Sequence, residues 1–302
     1  MSKSYVTLPS RGILAIDGPD RAAFLQGLVS NDVTQVGPSR AIYAAFLTPQ
    51  GKYLHDFFIA EMETETGGKL LLDAEAARLA DLQRRLKMYK LRSKVSLEDA
   101  SPQFSVTALY GPGTLEALGL TAEPGAAEPI GGGMVFADPR LAGLGARAIL
   151  PRGTEPAVLE PAGFVPADAA AYDQLRLKLG VPDGSRDLVV DKAILLENNL
   201  DELHAISWQK GCYMGQELTA RTRYRGLVRK RLFPVTVDGP LPAPGTPVML
   251  GDKEAGEIRS GTGGHALALL RLEEVARAEA EGGGLTAGEA RITPVKPAWA
   301  AF

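Results

Sequence analysis

The chain has 302 residues, 45% hydrophobic and 23% charged, with a formal net charge of −3. This is globular composition, long enough for two or three structural units, and its slight acidity excludes a protein whose whole surface coats nucleic acid or anionic membrane, so any basic function has to be local. One cysteine cannot close an intrachain disulfide, the N-terminal MSKSYVTLPSRG lacks a secretory apolar run, and no stretch is apolar over a membrane-spanning length; a reducing, cytoplasmic setting is expected.

In chain order, DGPDRAAFLQGLVSND reads as a short helix capped by Asp20, with Phe24, Leu25, Leu28 and Val29 on one face. AIYAAFLTPQGKYLHDFFIAE reads as a hairpin, with Pro49 and Gly51 at the favoured second and fourth positions of its turn. In AEAARLADLQRRLKMYKLRSKV, Leu79, Leu82, Leu86 and Tyr89 form the seam of an amphipathic helix, leaving Arg84, Arg85 and Lys87 as a solvated face. FSVTALYG and ARAIL are strand-like, and the proline- and glycine-rich EPGAAEPIGGGM between them reads as a loop. ADAAAYDQLRLKLGVP is a helix that stops at Gly180. From residue 231 onward, LFPVTV, TPVML, AGEIRS, HALALL and RITPV are short strands broken by Gly, Pro and Asp, the pattern of a small terminal barrel or sandwich.

Much chemistry is excluded. His55, His204 and His265 are scattered with no metal-ligand spacing, one thiolate cannot build a conventional zinc or iron-sulfur site alone, and no phosphate-loop pattern occurs. What remains is KGCYMGQELTARTRYRG at 210–226. Gly211 and Gly215 bracket Cys212 and suggest a sharp turn, while Lys210 supplies a positive charge that favours a reactive thiolate and Glu217 opposes it. The plainer alternative is a small buried hydrophobe beside a turn. RTRYRGLVRKR carries six cations and no acid. In an extended chain Arg221, Arg223 and Arg225 project from one face, either as an anion-binding ridge or as a solvated surface.

The run from Lys210 to Glu217, KGC followed by an aromatic, any residue and GQE, resembles the signature of the YgfZ family, folate-binding proteins related to the aminomethyltransferase (T-protein) of the glycine cleavage system. DRAAFLQGLVSNDV, TPQGKYLHDF, KLRSKV and LRLKLGVP extend the resemblance over most of the first 235 residues. It implies an α+β fold in which a folate-binding region, 1–230, is built of two interlocked units, the second over roughly 45–150, and is followed by a β-barrel over 231–302, all around a central tetrahydrofolate cavity. It also implies a role in assembling or repairing iron-sulfur proteins, including radical enzymes of tRNA modification. Iron-sulfur clients or assembly proteins are then the partners, and Cys212, Lys210, Gln216 and Glu217 the working group.

Folate calls for a stacking ring, a carboxylate for the donor-rich pterin edge and a cation for its glutamate tail. Tyr172, Tyr213, Glu197 and Arg221, Arg223 and Arg225 offer these types. By the same resemblance, Arg11 and Tyr172 stand where relatives carry folate-contacting tryptophans, and Lys178 stands where relatives carry a glutamate. A cation cannot accept from the pterin N–H groups, so either Glu197 substitutes or the pterin is held differently; Glu197 reads equally well as a surface residue of the LENNLDE turn. A folate-dependent one-carbon transferase is the alternative function. A docking module for RNA or protein on the arginine ridge ranks last because the chain is acidic, and a monomer with neither nucleic-acid nor membrane partners is expected.

Overall fold

The computed structural model describes residues 2–64, 67–226 and 228–302, so Met1 and Leu227, which fall in two segments interpreted above, lie outside it. The chain divides into two compact units: Met1–Leu47, Leu54–Ala169 and His204–Met214 form one, and Thr48–Tyr53, Ala170–Leu203 and Gly215–Phe302 the other.

The first unit holds two sheets. One has five strands in the order Ile42–Leu47, Tyr53–Thr64, Gly67–Glu75, Arg11–Asp17 and Ser96–Asp99. Ile13, Leu14, Ile16, Phe57, Ile59 and Leu72 are all fully buried. Their continuous apolar runs mark strands covered on both faces rather than half-exposed ones. The expected hairpin joins the first two strands: Gly51 donates its N–H to Thr48 O at 2.8 Å and has φ +82°, a conformation glycine takes without strain. The second sheet has six strands in the order Val165–Pro166, Ser4–Thr7, Phe104–Tyr110, Ala146–Pro151, Gly133–Ala137 and Ala127–Ile130.

Here the loop expected in EPGAAEPIGGGM is instead a hairpin. Ala127–Ile130 pairs with Gly133–Ala137 across Gly131 and Gly132, whose φ of +54° and +79° suit a tight two-residue turn. Pro129 is accommodated because its strand is the last in the sheet, where one side needs no ladder donors.

The two predicted helices of this unit form with small departures. Arg21–Gln26 follows Asp20, but the Asp20 carboxylate accepts from Lys94 N at 2.7 Å instead of capping the helix. Leu79–Lys90 buries Leu79, Leu82 and Leu86, while Tyr89 lies in its last turn, 37% exposed, with its ring edge-on to Phe46.

In the second unit the helix Ala169–Leu179 ends at Gly180, φ +75°. Six strands close a barrel in the order Lys230–Asp238, His265–Arg271, Lys253–Thr262, Pro247–Leu250, Leu285–Ala287 and Ala290–Pro294. Phe233, Val235, Val248, Ile258, Leu270 and Ile292 fill it. The α+β class and the terminal barrel are as expected. The helix Leu272–Glu281, which buries Glu274, Val275 and Ala278, was not read from the sequence. Asp187 organises the rest of the unit: it is fully buried and accepts from Arg176 Nη1 (2.9 Å), Ser260 N (2.9 Å), Ser260 Oγ (2.6 Å) and Asp183 N (2.8 Å). Among the described residues no helix is long and apolar enough to cross a membrane, and no group of three or more His, Cys, Asp or Glu is placed to hold a metal ion.

Candidate functional site

In the first unit the cysteine loop is fastened to the segment that follows the first helix. The Lys210 ammonium, 8% exposed, donates to three backbone carbonyls, Gln26 at 2.8 Å, Val29 at 2.7 Å and Asn31 at 2.8 Å. Gln26 O is available because the helix Arg21–Gln26 ends there and its last carbonyl has no intrahelical donor, while Val29 and Asn31 lie beyond the helix. Met214 N donates to Gly27 O, Ser207 N to Ser30 O, and Ser30 Oγ to Ala205 O. Asn31 Nδ2 bridges Tyr43 O and His204 O, both at 2.8 Å. The ring of Tyr213 is buried with the ammonium 5.3 Å from its centroid. Between these anchors Cys212 is exposed, so the buried-hydrophobe alternative is set aside.

One expectation for this loop is corrected and one role is added. Lys210 uses its three donors on carbonyls and so also clamps the loop. Burial pushes its pKa down to about 8, with Asp32 opposing. Gly211, by contrast with Gly215 at φ +81°, has no left-handed conformation and a Cβ there would meet open space, so the sharp turn is at one glycine only.

In the second unit Gly215 opens the helix Gln216–Tyr224. A Cβ added to Gly51 would lie 2.7 Å from Gly215 O and 2.6 Å from Leu218 Cβ, so the TPQG turn and the GQE stretch are in contact. Gln216 is half-buried and Glu217 points outward, 3.7 Å from Arg221 Nη1. The arginine ridge does not form as expected: 221–224 is helical, and at 3.6 residues per turn Arg221 and Arg225 share a side while Arg223 turns away and lies over the ring of Tyr224. All three are exposed.

Glu197 sits in the single turn Leu196–Asn198 and is half-buried. No donor among the described residues reaches its carboxylate, and burial raises its pKa against the opposing charges of Lys230 and Lys52. It is therefore not the plain surface residue of the alternative reading. Tyr172, on the helix Ala169–Leu179, is buried.

Arg11 stands apart in a buried cluster of the first unit. Its Nε donates to Asp73 Oδ1 at 2.6 Å, and Arg147 donates to Asp73 Oδ2 from Nη2 at 2.6 Å and from Nε at 2.9 Å. Burial alone would raise the Asp73 pKa, but the two guanidiniums hold it below its usual range. Arg147 and Arg140 lie 4.2 Å and 4.8 Å from the Phe58 centroid, and Arg140 also pairs with Asp138. Arg11 is thus engaged in a structural ion pair. The structure brings Lys210, Cys212 and Tyr213 together in one unit and Tyr172, Glu197, Gln216, Glu217 and the three arginines into the other. Sequence reasoning missed Ser30 and Asn31, whose signal was a polar SND run directly after an apolar helix face.

Comparison with known proteins begins with domains. Residues 10–126 match the GCVT N-terminal domain and residues 229–302 match the CAF17 C-terminal β-barrel domain. The crystal structure of the glycine cleavage system aminomethyltransferase T from Bartonella henselae superposes over 97% of this chain and 85% of its own, with a TM-score of 0.75 at 17% identity. The fold is therefore of the T-protein type, α+β with a six-stranded C-terminal barrel. Among curated proteins, iron-sulfur cluster assembly factor IBA57, mitochondrial, from Mus musculus is 39% identical over 286 residues, covering 89% of this chain and 77% of the relative. The Homo sapiens protein of that name is 38% identical with the same coverage. The chain belongs to the IBA57 family of iron-sulfur cluster assembly factors.

Proposed function

We propose that the chain is a tetrahydrofolate-binding accessory factor for assembly or repair of iron-sulfur proteins, radical enzymes of tRNA modification among them, and that it meets its client or assembly partner through Cys212. The observation that carries this reading is the single thiol, exposed on a loop that Lys210 ties down before it and the bond from Met214 N to Gly27 O ties down after it. Holding a thiol still lowers the ordering cost of each encounter with a cluster-bearing partner. Gln216 and Glu217 belong to the same sequence motif and are assigned to the same role, and Lys210 serves the thiol by position.

The donor set of the second unit fits a reduced pterin. Glu197 is a half-buried carboxyl with no donor of its own, suited to the pterin N–H edge, which Lys178 cannot serve. Arg221 and Arg225, side by side and exposed, suit the glutamate tail. Tyr172 would contribute ring surface in the same unit, while in the first unit Arg11 would act only by holding the cluster around Asp73. Bound tetrahydrofolate supplies a carrier for one-carbon units.

Cells relying on the Cys212→Ala variant should lose activity of iron-sulfur clients while the purified variant remains folded; unaltered client activity would remove the thiol from the function. Calorimetric titration with tetrahydrofolate should give saturable binding that Glu197→Ala weakens at least tenfold, the worth of one lost charged hydrogen bond, about 1.5–3 kcal/mol. Turnover of tetrahydrofolate with aminomethyl or methyl donors would favour the transferase alternative.

A further inference from the structure

From Arg84 to Lys94 the sequence RRLKMYKLRSK has six cations and no acid, in a chain whose net charge is −3. Asp81 answers Arg84 and Arg85 from one helical turn away. No ion pair engages Lys87, Lys90, Arg92 or Lys94 among the described residues. The negative end of the helix Leu79–Lys90 accounts for Lys87 and Lys90, but not for Arg92 and Lys94, which lie beyond it.

Nor does it account for what stands among the cations. Met88 is 56% exposed and Leu91 is 88% exposed, the highest value among the exposed large hydrophobic residues of the described chain. Leu91 has φ +41° and ψ −109°, a left-handed backbone that glycine would adopt at no cost. An apolar side chain is therefore kept, at some strain, where solvent is its only neighbour on most sides.

We propose that this tip, Lys87 to Arg92, is a reversible contact site for an anionic phospholipid surface. A bilayer interface accepts a convex apolar pair without a shaped socket, and anionic headgroups attract the long cations that flank it. Nucleic acid would use the cations and the partly exposed ring of Tyr89, but it has no use for Met88 and Leu91, the more exposed side chains of the tip, which a bilayer interface takes up. The acidity of the whole chain excludes coating of a membrane and favours a local contact, because the chain outside the tip carries net negative charge.

The test is flotation of the full chain with phosphatidylcholine vesicles that do or do not contain phosphatidylglycerol. Binding should appear only with phosphatidylglycerol and fade with added salt. Replacing Lys87, Lys90 and Arg92 together by Gln should weaken it about a hundredfold, at roughly fivefold per cation. Leu91→Gly should weaken it about tenfold while leaving the thermal midpoint equal or higher, so that lost binding cannot be ascribed to lost folding. The proposal is overturned by absence of binding at low salt, by full binding of Leu91→Gly, or by an equal loss when Arg221 and Arg225 are changed to Gln. Displacement from the vesicles by tRNA or polyglutamate at low concentration would make the tip a polyanion site and overturn it too.

Discussion

Replacing Lys210 by Met removes three charge-assisted hydrogen bonds of 2.7–2.8 Å at once. The carbonyls of Gln26, Val29 and Asn31 then lose their donor, at about 1.5–2 kcal/mol each. Against this, the native ammonium is itself desolvated: a pKa displaced from 10.5 to about 8 corresponds to roughly 3 kcal/mol that the thioether does not incur. The balance is a loss of about 1.5–3 kcal/mol, or about 2–5 °C in thermal midpoint for a chain of this size. Urea and thermal unfolding measure the stability, and the rate at which iodoacetamide alkylates Cys212 measures the loop. Hydrogen exchange at residues 26–31 should rise together with the alkylation rate. If Lys210→Met unfolds within about 0.5 kcal/mol of the native protein, the size expected of an ordinary surface change, and its thiol reacts no differently, the clamp is not what holds the loop.

His55, 3% exposed, donates from Nε2 to Asp81 Oδ2 at 3.0 Å, and burial, reinforced by Arg78, pushes its pKa from 6.5 to about 4. The unfolded chain takes up this proton first, so stability present above pH 6.5 is lost as pH falls toward 4, by about 3 kcal/mol; urea titrations across that range should flatten in His55→Asn. Glu197 behaves oppositely. With its folded pKa raised, the ionised form is disfavoured, so Glu197→Gln should melt higher than the native protein at neutral pH, and the gap should close as pH falls toward 4.5. Asp187→Asn leaves Arg176 with Asp173 as its remaining counter-charge and should cost about 1.5–3 kcal/mol, read as a lowered urea midpoint. Cys212→Ser, at an exposed position, should shift stability by less than about 0.5 kcal/mol, and the native thiol should label stoichiometrically without denaturant.

Where side-chain periodicity and turn chemistry act locally, the sequence was readable. The TPQG hairpin, the seam of Leu79, Leu82 and Leu86, the stop at Gly180 and the strands of the barrel are set within a few residues of chain. The hairpin at Gly131–Gly132 was missed because proline weighs against a strand unless its place at a sheet edge is known. The site divides in the same way. That Cys212 mattered could be read from its neighbours, but the partners of Lys210 could not, because Gln26, Val29 and Asn31 lie 184 to 179 residues away and offer backbone oxygens, which every residue possesses. The alternation of Arg221, Arg223 and Arg225 misled for the converse reason: a period of two is meaningful only in a strand, and Gly215 starts a helix.

Because His204–Met214 completes a unit whose other segments end at Ala169, that unit cannot finish folding during synthesis until the ribosome has delivered its eleven-residue closing piece. The thiol-bearing stretch is that piece. Until it arrives, the pocket of oxygens left by Gln26, Val29 and Asn31 waits for a lysine, and a nascent chain stalled short of it would display neither a finished core nor a reactive sulfur. The anchoring of that loop by Lys210, rather than exposure of its sulfur, is thus among the last contacts of the unit to form.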